Sequence, residues 1–577
     1  VILDRLAGLE TEYAIRYTPR RGARPGHEVI YDALAEAVGT LVATRPGQRR
    51  LVHKQVFTQN GGSLYYEVVP GTGDAGVIEA GTPECRGPSE LLLYQRAQDA
   101  LLTRALPLAE RALAERGFDG RLGLLKNCRD ADGHIYGAQE NYEAEIAAGP
   151  ALWLYRLGLL ALSPLAALSA VATWAVVVIA IAVVLALVPV ALALTLLIAI
   201  VAAVSPRVGA LAERAGEALE SEGAERVLLR IFQVIEVAVW WPALMPFLWL
   251  LRGVAFRRVR AGAEAFFLSR MVISGAGTLD AAGRLHLSEK AVALRRMVRA
   301  SALPVERVLF DAGNLLKRLT RLLALQPRQT FGLFRRSQRL QLGLSDSNCA
   351  QVAEYLKLGT STLVVDMAEA GALEGAPRLL APAAACRAMN ADATMGEAVA
   401  TRAHGPMTAL AIQRWYLEAA ERFVEEAAVT SLEAREVVRL WRATLDALAR
   451  DPDELIGRLD WVTKRYLIAR AGAGADLAVQ KKIDLRYHEL GDGYFARLDA
   501  AGLVARLVDD EAIARATLEP PERSPAWERG RLVRRLAAAG TRAAVSWESV
   551  RVGGLLRGKV IRLSDWRRAR AQQEPEV

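Results

Sequence analysis

The run GLETEYAI, residues 8–15, decides how the chain is read. In an extended strand successive side chains point to opposite faces, so Leu9, Thr11, Tyr13 and Ile15 share one face and Glu10 and Glu12 the other. The first face can pack. The second carries two like charges roughly 7 Å apart, which a divalent cation with oxygen ligands would neutralise and which a solvated edge strand would leave in water. The motif alone leaves both readings open.

The next acids extend the pattern. NGGSLYYE, residues 60–67, ends a strand-like run with Glu67, and EAGTPEC, residues 79–85, sets Glu79 and Glu84 around a turn signal at Gly81 and Pro83. KNCRDADGHIYGAQENYEAE, residues 126–145, then predicts a hairpin with its turn at Asp132 and Gly133, gathering Lys126, Asn127, Gln139, Glu140 and Asn141. Acids, amides and a lysine on neighbouring strands are the makings of a nucleotide and metal site.

A chain of 577 residues is too long for one ordinary domain. Its net charge of +9, carried by an arginine-heavy surface, favours an acidic partner without choosing among nucleic acid, anionic lipid and acidic protein. Aromatic and basic residues do not interleave as a nucleic-acid surface requires, so no nucleic-acid partner is expected. Cys85, Cys128, Cys349 and Cys386 are widely spaced and form no metal-ligand pattern, which suits buried thiols in a reducing compartment. The opening VILDRLAGLE has neither a basic n-region nor an apolar h-region, so the N-terminal part is expected in the cytoplasm.

Residues 157–206 contain no charged side chain. As one helix they would be roughly 75 Å long, more than twice a hydrocarbon core of about 30 Å. A second apolar stretch, IFQVIEVAVWWPALMPFLWLL, residues 231–251, carries Trp240, Trp241 and Trp249 as interface-type aromatics. If the flanking segments form one body the number of spans is even. Either residues 157–206 make a two-span hairpin with 231–251 in the interface, or they make one tilted span with 231–251 as the return. Arg252, Arg257, Arg258 and Arg260 place the end of the second stretch on the cytoplasmic side under both readings.

Elsewhere short strand-like runs alternate with helices before the apolar block. After it come strand candidates in FFLSRMVIS and GRLHLSEK, a basic helical segment over residues 293–326, RLQLGLSDSN leading into the helix AQVAEYLKLGTSTLVVDMAEAG, and helical periodicity over 407–468. Strands cluster and helices follow, which is an α+β pattern.

GLETEYAI, NGGSLYYE, TPEC, KNCRDADGHIYGAQENY, SDSNCAQVAEYLKLGTSTLVVDM, LDWVTKRYLI and KKIDLRYHEL resemble, in order and spacing, the motifs of the Pup ligase and Pup deamidase/depupylase family, relatives of the glutamine synthetase type of carboxylate-amine ligase. The resemblance implies a glutamine synthetase-like α+β fold: a curved antiparallel sheet cradle backed by helices, formed by residues 1–149 and 262–497. A small C-terminal domain would follow at 498–577, and residues 150–261 would be a transmembrane insertion. It implies ATP and Mg²⁺ at one end of the cradle, with Glu10, Glu12 and Glu79 as metal ligands and Tyr65, Asn127, Gln139, Asn141 and Lys290 lining the nucleotide site. The partners it implies are a small acidic Pup-like modifier, whose C-terminal Glu or Gln is joined or released, and the modifier's protein targets.

The departures from the family pattern are also specific. Glu67 stands where the family has a catalytic aspartate, and a longer connection, VVPGTGDAG, separates it from Glu79, with Asp74 as a second candidate carboxylate. Gln139 replaces a family histidine, Lys290 a family arginine, and QTFGLFRRSQR an acidic, histidine-bearing run. A short segment before the Glu67 strand favours the ligases, whereas YLKLGT favours the deamidase branch. The expected function is a membrane-anchored ligase or depupylase at the cytoplasmic membrane with its catalytic part in the cytoplasm. The alternative is a catalytically degenerate member that binds a modifier or partner there.

Overall fold

The computed structural model describes residues 2–48, 54–68, 76–129, 135, 137–204, 222–299, 307–322, 327–427, 431–472, 476–553 and 558–563. The N-terminal acidic run lies in β1 (Leu6–Pro19), and its burial alternates as the sequence predicts. Leu9, Thr11 and Tyr13 are buried, while Glu10 and Glu12 are half-buried on the opposite face. Tyr13 and Tyr17 pack with Ile30, Leu34 and Val38 of α1 (His27–Leu41) and with Leu101, Leu102 and Leu106 of α2 (Pro88–Glu115). Two helices therefore cover the apolar face of the sheet, and the acidic face is left free to line a cradle.

The cradle strands are β2 (Thr44–Pro46), β3 (Gln55–Thr58), β4 (Ser63–Val68), β5 (Gly76–Gly81), β6 (Cys85–Arg86), β7 (Gly120–Leu125) and β8 (Gln139–Glu145). A small ribbon of β9 (Thr278–Leu279) and β10 (Leu285–His286) stands apart, and β11 (Arg296–Val298), β12 (Val308–Asp311) and β13 (Ser337–Leu342) complete the main sheet. The order is β11-β12-β13-β8-β1-β5-β4-β3-β2, with β6 and β7 also paired to β1. Every pairing is antiparallel except β11 with β12.

Three local expectations change. The proposed turn at Asp132 and Gly133 lies outside the described residues, and β7 and β8 form no hairpin ladder with each other. They pair with successive stretches of β1, Ala14 to Pro19 and Ala7 to Glu10, and between them Arg129 and Ile135 form an antiparallel bridge. FFLSRMVIS is helical, within Arg257–Ser269 and Met271–Ser274: a short apolar run buried on all sides has no period, and here an upstream alanine-rich turn continues it as helix. Among the described residues the segment 293–326 contributes β11 and β12 before its first α-helix, which begins at Gly313.

The apolar block begins as one helix, α3 (Pro150–Val204). Its segment Pro150–Val201 is long and apolar enough to cross a membrane, with mean hydropathy 3.2 over its best window and none of that window buried. The structure thus holds one helix where a two-span hairpin was one of the readings. Tyr155, Leu159, Leu162 and Ala166, near its start, pack against Trp240, Leu244, Phe247 and Leu251 of the helix Glu222–Gly253. Gly158 eases the close approach there, since a Cβ would come 2.8 Å from the Leu250 methyls and turn them aside. Beyond Ala170 most of the described large side chains of α3, including Val171, Trp174, Val178 and Ile181, are exposed. The stretch Ala238–Gly253 then bends by 70° into Arg257–Ser269, whose Val259, Ala263 and Phe266 lie in the main core.

The C-terminal part carries the helix Pro525–Ala538 and a three-stranded sheet, Ala543–Val545, Ser549–Val552 and Lys559–Arg562. Arg529 fastens it to the cradle: fully buried, it donates to the Gly61 carbonyl (2.9 Å), ion-pairs with Glu84 and stacks over Trp547. A planar guanidinium suits this place because it bonds in its plane and stacks on its face.

Candidate active site

Strand register brings the acids together. Glu12 of β1 lies directly opposite Glu79 of β5, and Glu79 directly opposite Tyr65 of β4, so the three share one row of one sheet face. Glu67, two residues along β4 from Tyr65, joins them on that face. One carboxylate oxygen each from Glu12, Glu67 and Glu79 lies within 4.8 Å of the other two. Glu67 is exposed, Glu12 half-buried and Glu79 buried.

Burial and mutual repulsion disfavour charge here. Burial first, then the neighbouring Glu67 and Glu10, push the Glu79 carboxyl well above its usual range, and Glu79 hydrogen-bonds Glu67. Burial also raises Glu12, to about 7, against the pull of Lys290 and of the Gly137 amide, which donates to Glu12 at 2.8 Å. The Tyr65 phenol is pushed well up by burial and by Glu79, which accepts its hydrogen bond. Gly137 is fixed by geometry: it holds φ +115°, and a Cβ would strike Cys128 Sγ at 2.1 Å.

The other site candidates sit around this cluster in different circumstances. Glu10 is drawn aside by Arg339 of β13 (2.8 Å), which also donates to Asn141 (2.7 Å). Gln139 accepts from Gln341, and buried Lys290 donates to the Ala138 carbonyl at 2.6 Å. Asn127 is buried, its amide nitrogen bonded to the Arg129 carbonyl and its Oδ1 without a hydrogen-bond partner. Asp74 lies outside the described residues. Arg339 and Gln341 were not singled out from sequence. RLQLGLSDSN alternates, but only the β1–β8–β13 pairing shows that Arg339 reaches a strand more than 300 residues away.

Behind the site, the remaining motifs form a buried polar frame. Asp346 accepts from the amides of Ala276 (2.9 Å), Glu289 (3.1 Å) and Lys290 (3.1 Å) and from Ser288 Oγ (3.0 Å), so it shapes the turn that presents Lys290. Asp460 accepts from Asn348, the amides of Cys349 and Ala350, and the Tyr487 hydroxyl. Lys464 donates to Asp484 (2.8 Å) and the Gly277 carbonyl (2.6 Å) and meets His488 Nε2 at 2.9 Å. Burial and the adjacent Lys464 hold His488 neutral, well below its usual range. Glu289, 3.7 Å from Lys464, is pushed up to about 8 chiefly by burial.

Three carboxylates converging on a sheet face, with a lysine and an arginine at the rim, fit a hard divalent cation and a polyanionic ligand. The family model described as "Pup-ligase protein" matches residues 5–551. The chain belongs to the Pup-ligase family. It is 27% identical to the Pup–protein ligase of Acidimicrobium ferrooxidans over 94% of this chain and 91% of that one. It is 32% identical to the Pup deamidase/depupylase of Mycolicibacterium smegmatis over 52% of this chain and 59% of that one. These relatives are enzymes that form or cleave isopeptide bonds. In fold the chain is similar to the ligase PafA in its complex with the prokaryotic ubiquitin-like protein Pup, with TM-score 0.64, 20% identity, and coverage of 97% of this chain and 89% of that one. It is also similar to PafA in complex with ADP, at TM-score 0.59 and 20% identity over 95% and 92%.

Proposed function

We propose that this Pup-ligase family member makes or hydrolyses an amide or isopeptide bond at the C-terminal Glu or Gln of a Pup-like modifier, using ATP and Mg²⁺, while held at the cytoplasmic membrane. The observation that carries the chemistry is the triad Glu12, Glu67 and Glu79. Its oxygen donors are those Mg²⁺ takes, and the cation would supply charge neutralisation for phosphoryl oxygens. Glu67, the exposed member, is placed to accept the proton of an attacking lysine amine or water. Glu79 and Tyr65 hold it from behind, and Lys290 and Arg339 draw anionic groups to the rim. Glu67 is one methylene longer than the family's aspartate, and a misplacement of about 1 Å can cost on the order of 100-fold, so slow turnover is expected.

The membrane part of this reading is supported by α3, whose exposed apolar surface has no place in water. The packed start of α3 and the helix Glu222–Gly253 give the chain an exit and a return on one body. Arg252, Arg257 and Arg258 then mark the cytoplasmic end.

A degenerate binding role is favoured by one observation: Glu10, Asn141 and Gln139 at the nucleotide end already bond to Arg339 and Gln341. Purified protein incubated with ATP, Mg²⁺ and a modifier ending in Glu or Gln separates the two. Conjugation, deamidation or cleavage abolished by Glu67→Ala supports catalysis. Modifier binding without turnover, unchanged by Glu67→Ala, establishes the binding role instead.

A further inference from the structure

Where the membrane-apposed helix ends, a cleft of about 600 Å³ opens on the surface of the folded body. It is bordered by Arg258 on the first turn of the helix Arg257–Ser269, and by Arg378 and Arg402 from two loops joined by the Leu379–Thr401 bridge. Its walls are otherwise small residues, among them Gly262, Gly371 and Gly375, which leave backbone accessible and room between the guanidiniums. All three arginines are exposed, and among the described residues none has a carboxylate within ion-pair distance; Arg258 donates to the Glu369 carbonyl (3.2 Å), and Glu264 lies near enough to Arg378 to feel its charge. Glu374 is the single acid at the rim, so the lining is net positive. Arg5, Arg96, Arg270 and Arg529, by contrast, are buried in internal ion pairs.

Two further observations point to the occupant. Arg258 lies five residues beyond Gly253, the end of the helix that follows the apolar block, and the 70° bend turns the chain there from the apolar segment into the body. Exposed Trp249 and Trp241 sit just before it, as interfacial aromatics do. Guanidinium groups in a shaped pocket at headgroup level are suited to phosphate, which they can bind through two parallel hydrogen bonds. We propose that this cleft binds the phosphate of an anionic glycerophospholipid and so sets the height and tilt of the catalytic body on the membrane. The proposal rests on the membrane reading above.

The test uses the full chain purified in detergent, reconstituted into phosphatidylcholine vesicles with and without phosphatidylglycerol, with lipid retention read by native mass spectrometry. Wild type is expected to retain phosphatidylglycerol over phosphatidylcholine. The double variant Arg378→Gln/Arg402→Gln should lose about fivefold of that preference per arginine, on the order of 25-fold together. The charge-matched Arg252→Gln/Arg257→Gln, outside the cleft lining, should keep it. Equal losses in the two variants would show diffuse surface charge and overturn the cleft. Inorganic phosphate or glycerol phosphate competing fully, with no lipid preference, would overturn the lipid assignment. Insertion into neutral vesicles resistant to alkaline carbonate, with no phosphatidylglycerol preference, sinks the cleft and leaves the membrane reading standing. Failure to insert at all sinks both.

Discussion

Two acid-rich regions lie close together and are built on opposite rules. In the frame behind the cradle, Asp484 faces Lys464, Glu140 faces Arg270 and Asp99 faces Lys126, and the carboxylates without a cation, Asp346 and Asp460, are filled by four hydrogen-bond donors each. On the cradle face, Glu12, Glu67 and Glu79 face one another. The sheet could have paired these acids as the frame does, and the rim cations Lys290 and Arg339 are near enough to show that cations were accessible to it. Compensated buried charge is architecture, whereas clustered like charge is a site that needs something from outside to be stable when ionised.

That contrast can be broken most severely in the frame. Lys464→Met strands Asp484 beside Glu289 in the interior and is expected to cost about 3–5 kcal/mol in urea unfolding, as removing one partner of a buried pair does. A cost below about 1 kcal/mol would erase the distinction between frame and site. In the site the sign reverses. Glu79→Gln should lower cation-dependent activity by at least about 100-fold while leaving the unfolding midpoint of cation-free protein unchanged or raised, because it removes repulsion.

A subtler probe is Glu289, the frame member with the weakest compensation. Its carboxyl ionises near 8 in the folded protein against an ordinary 4.5, so the unfolded chain releases this proton first. Its contribution to stability therefore falls as pH rises from about 4.5 to about 8 and is level above. Glu289→Gln should flatten that part of the stability profile, measured by denaturant unfolding across pH. The smallest effect is expected at the border between the regions. Arg339→Ala releases Glu10 from a partly exposed pair, so unfolding should change by less than about 1 kcal/mol and cation affinity should tighten by no more than about fivefold.

The cradle was legible because its signal is local. Alternation in GLETEYAI announced both the packed face and the acidic face, and the nearby turn signal pointed to Glu79, whereas Tyr65 followed only from the family resemblance. Glu67 could be named from its motif, but its convergence with Glu12 and Glu79 depends on the β4–β5–β1 register, which no local pattern encodes. Arg339 was hidden for the same reason, since β13 meets β8 only after the apolar block and several helices intervene. The FFLSRMVIS run was misread as strand because full burial erases periodicity. The frame motifs were legible only as family resemblance, because a buried aspartate with a buried lysine has the same composition whether it binds a ligand or holds a turn.

The central claim is that Glu12, Glu67 and Glu79 together hold a divalent cation. Calorimetric titration of Mg²⁺ into the purified protein tests it most directly. Saturable binding is expected, lost in Glu79→Gln and Glu12→Gln and retained in Glu10→Gln, whose carboxylate is engaged by Arg339. Binding that survives Glu79→Gln, or that disappears equally with Glu10→Gln, would contradict it.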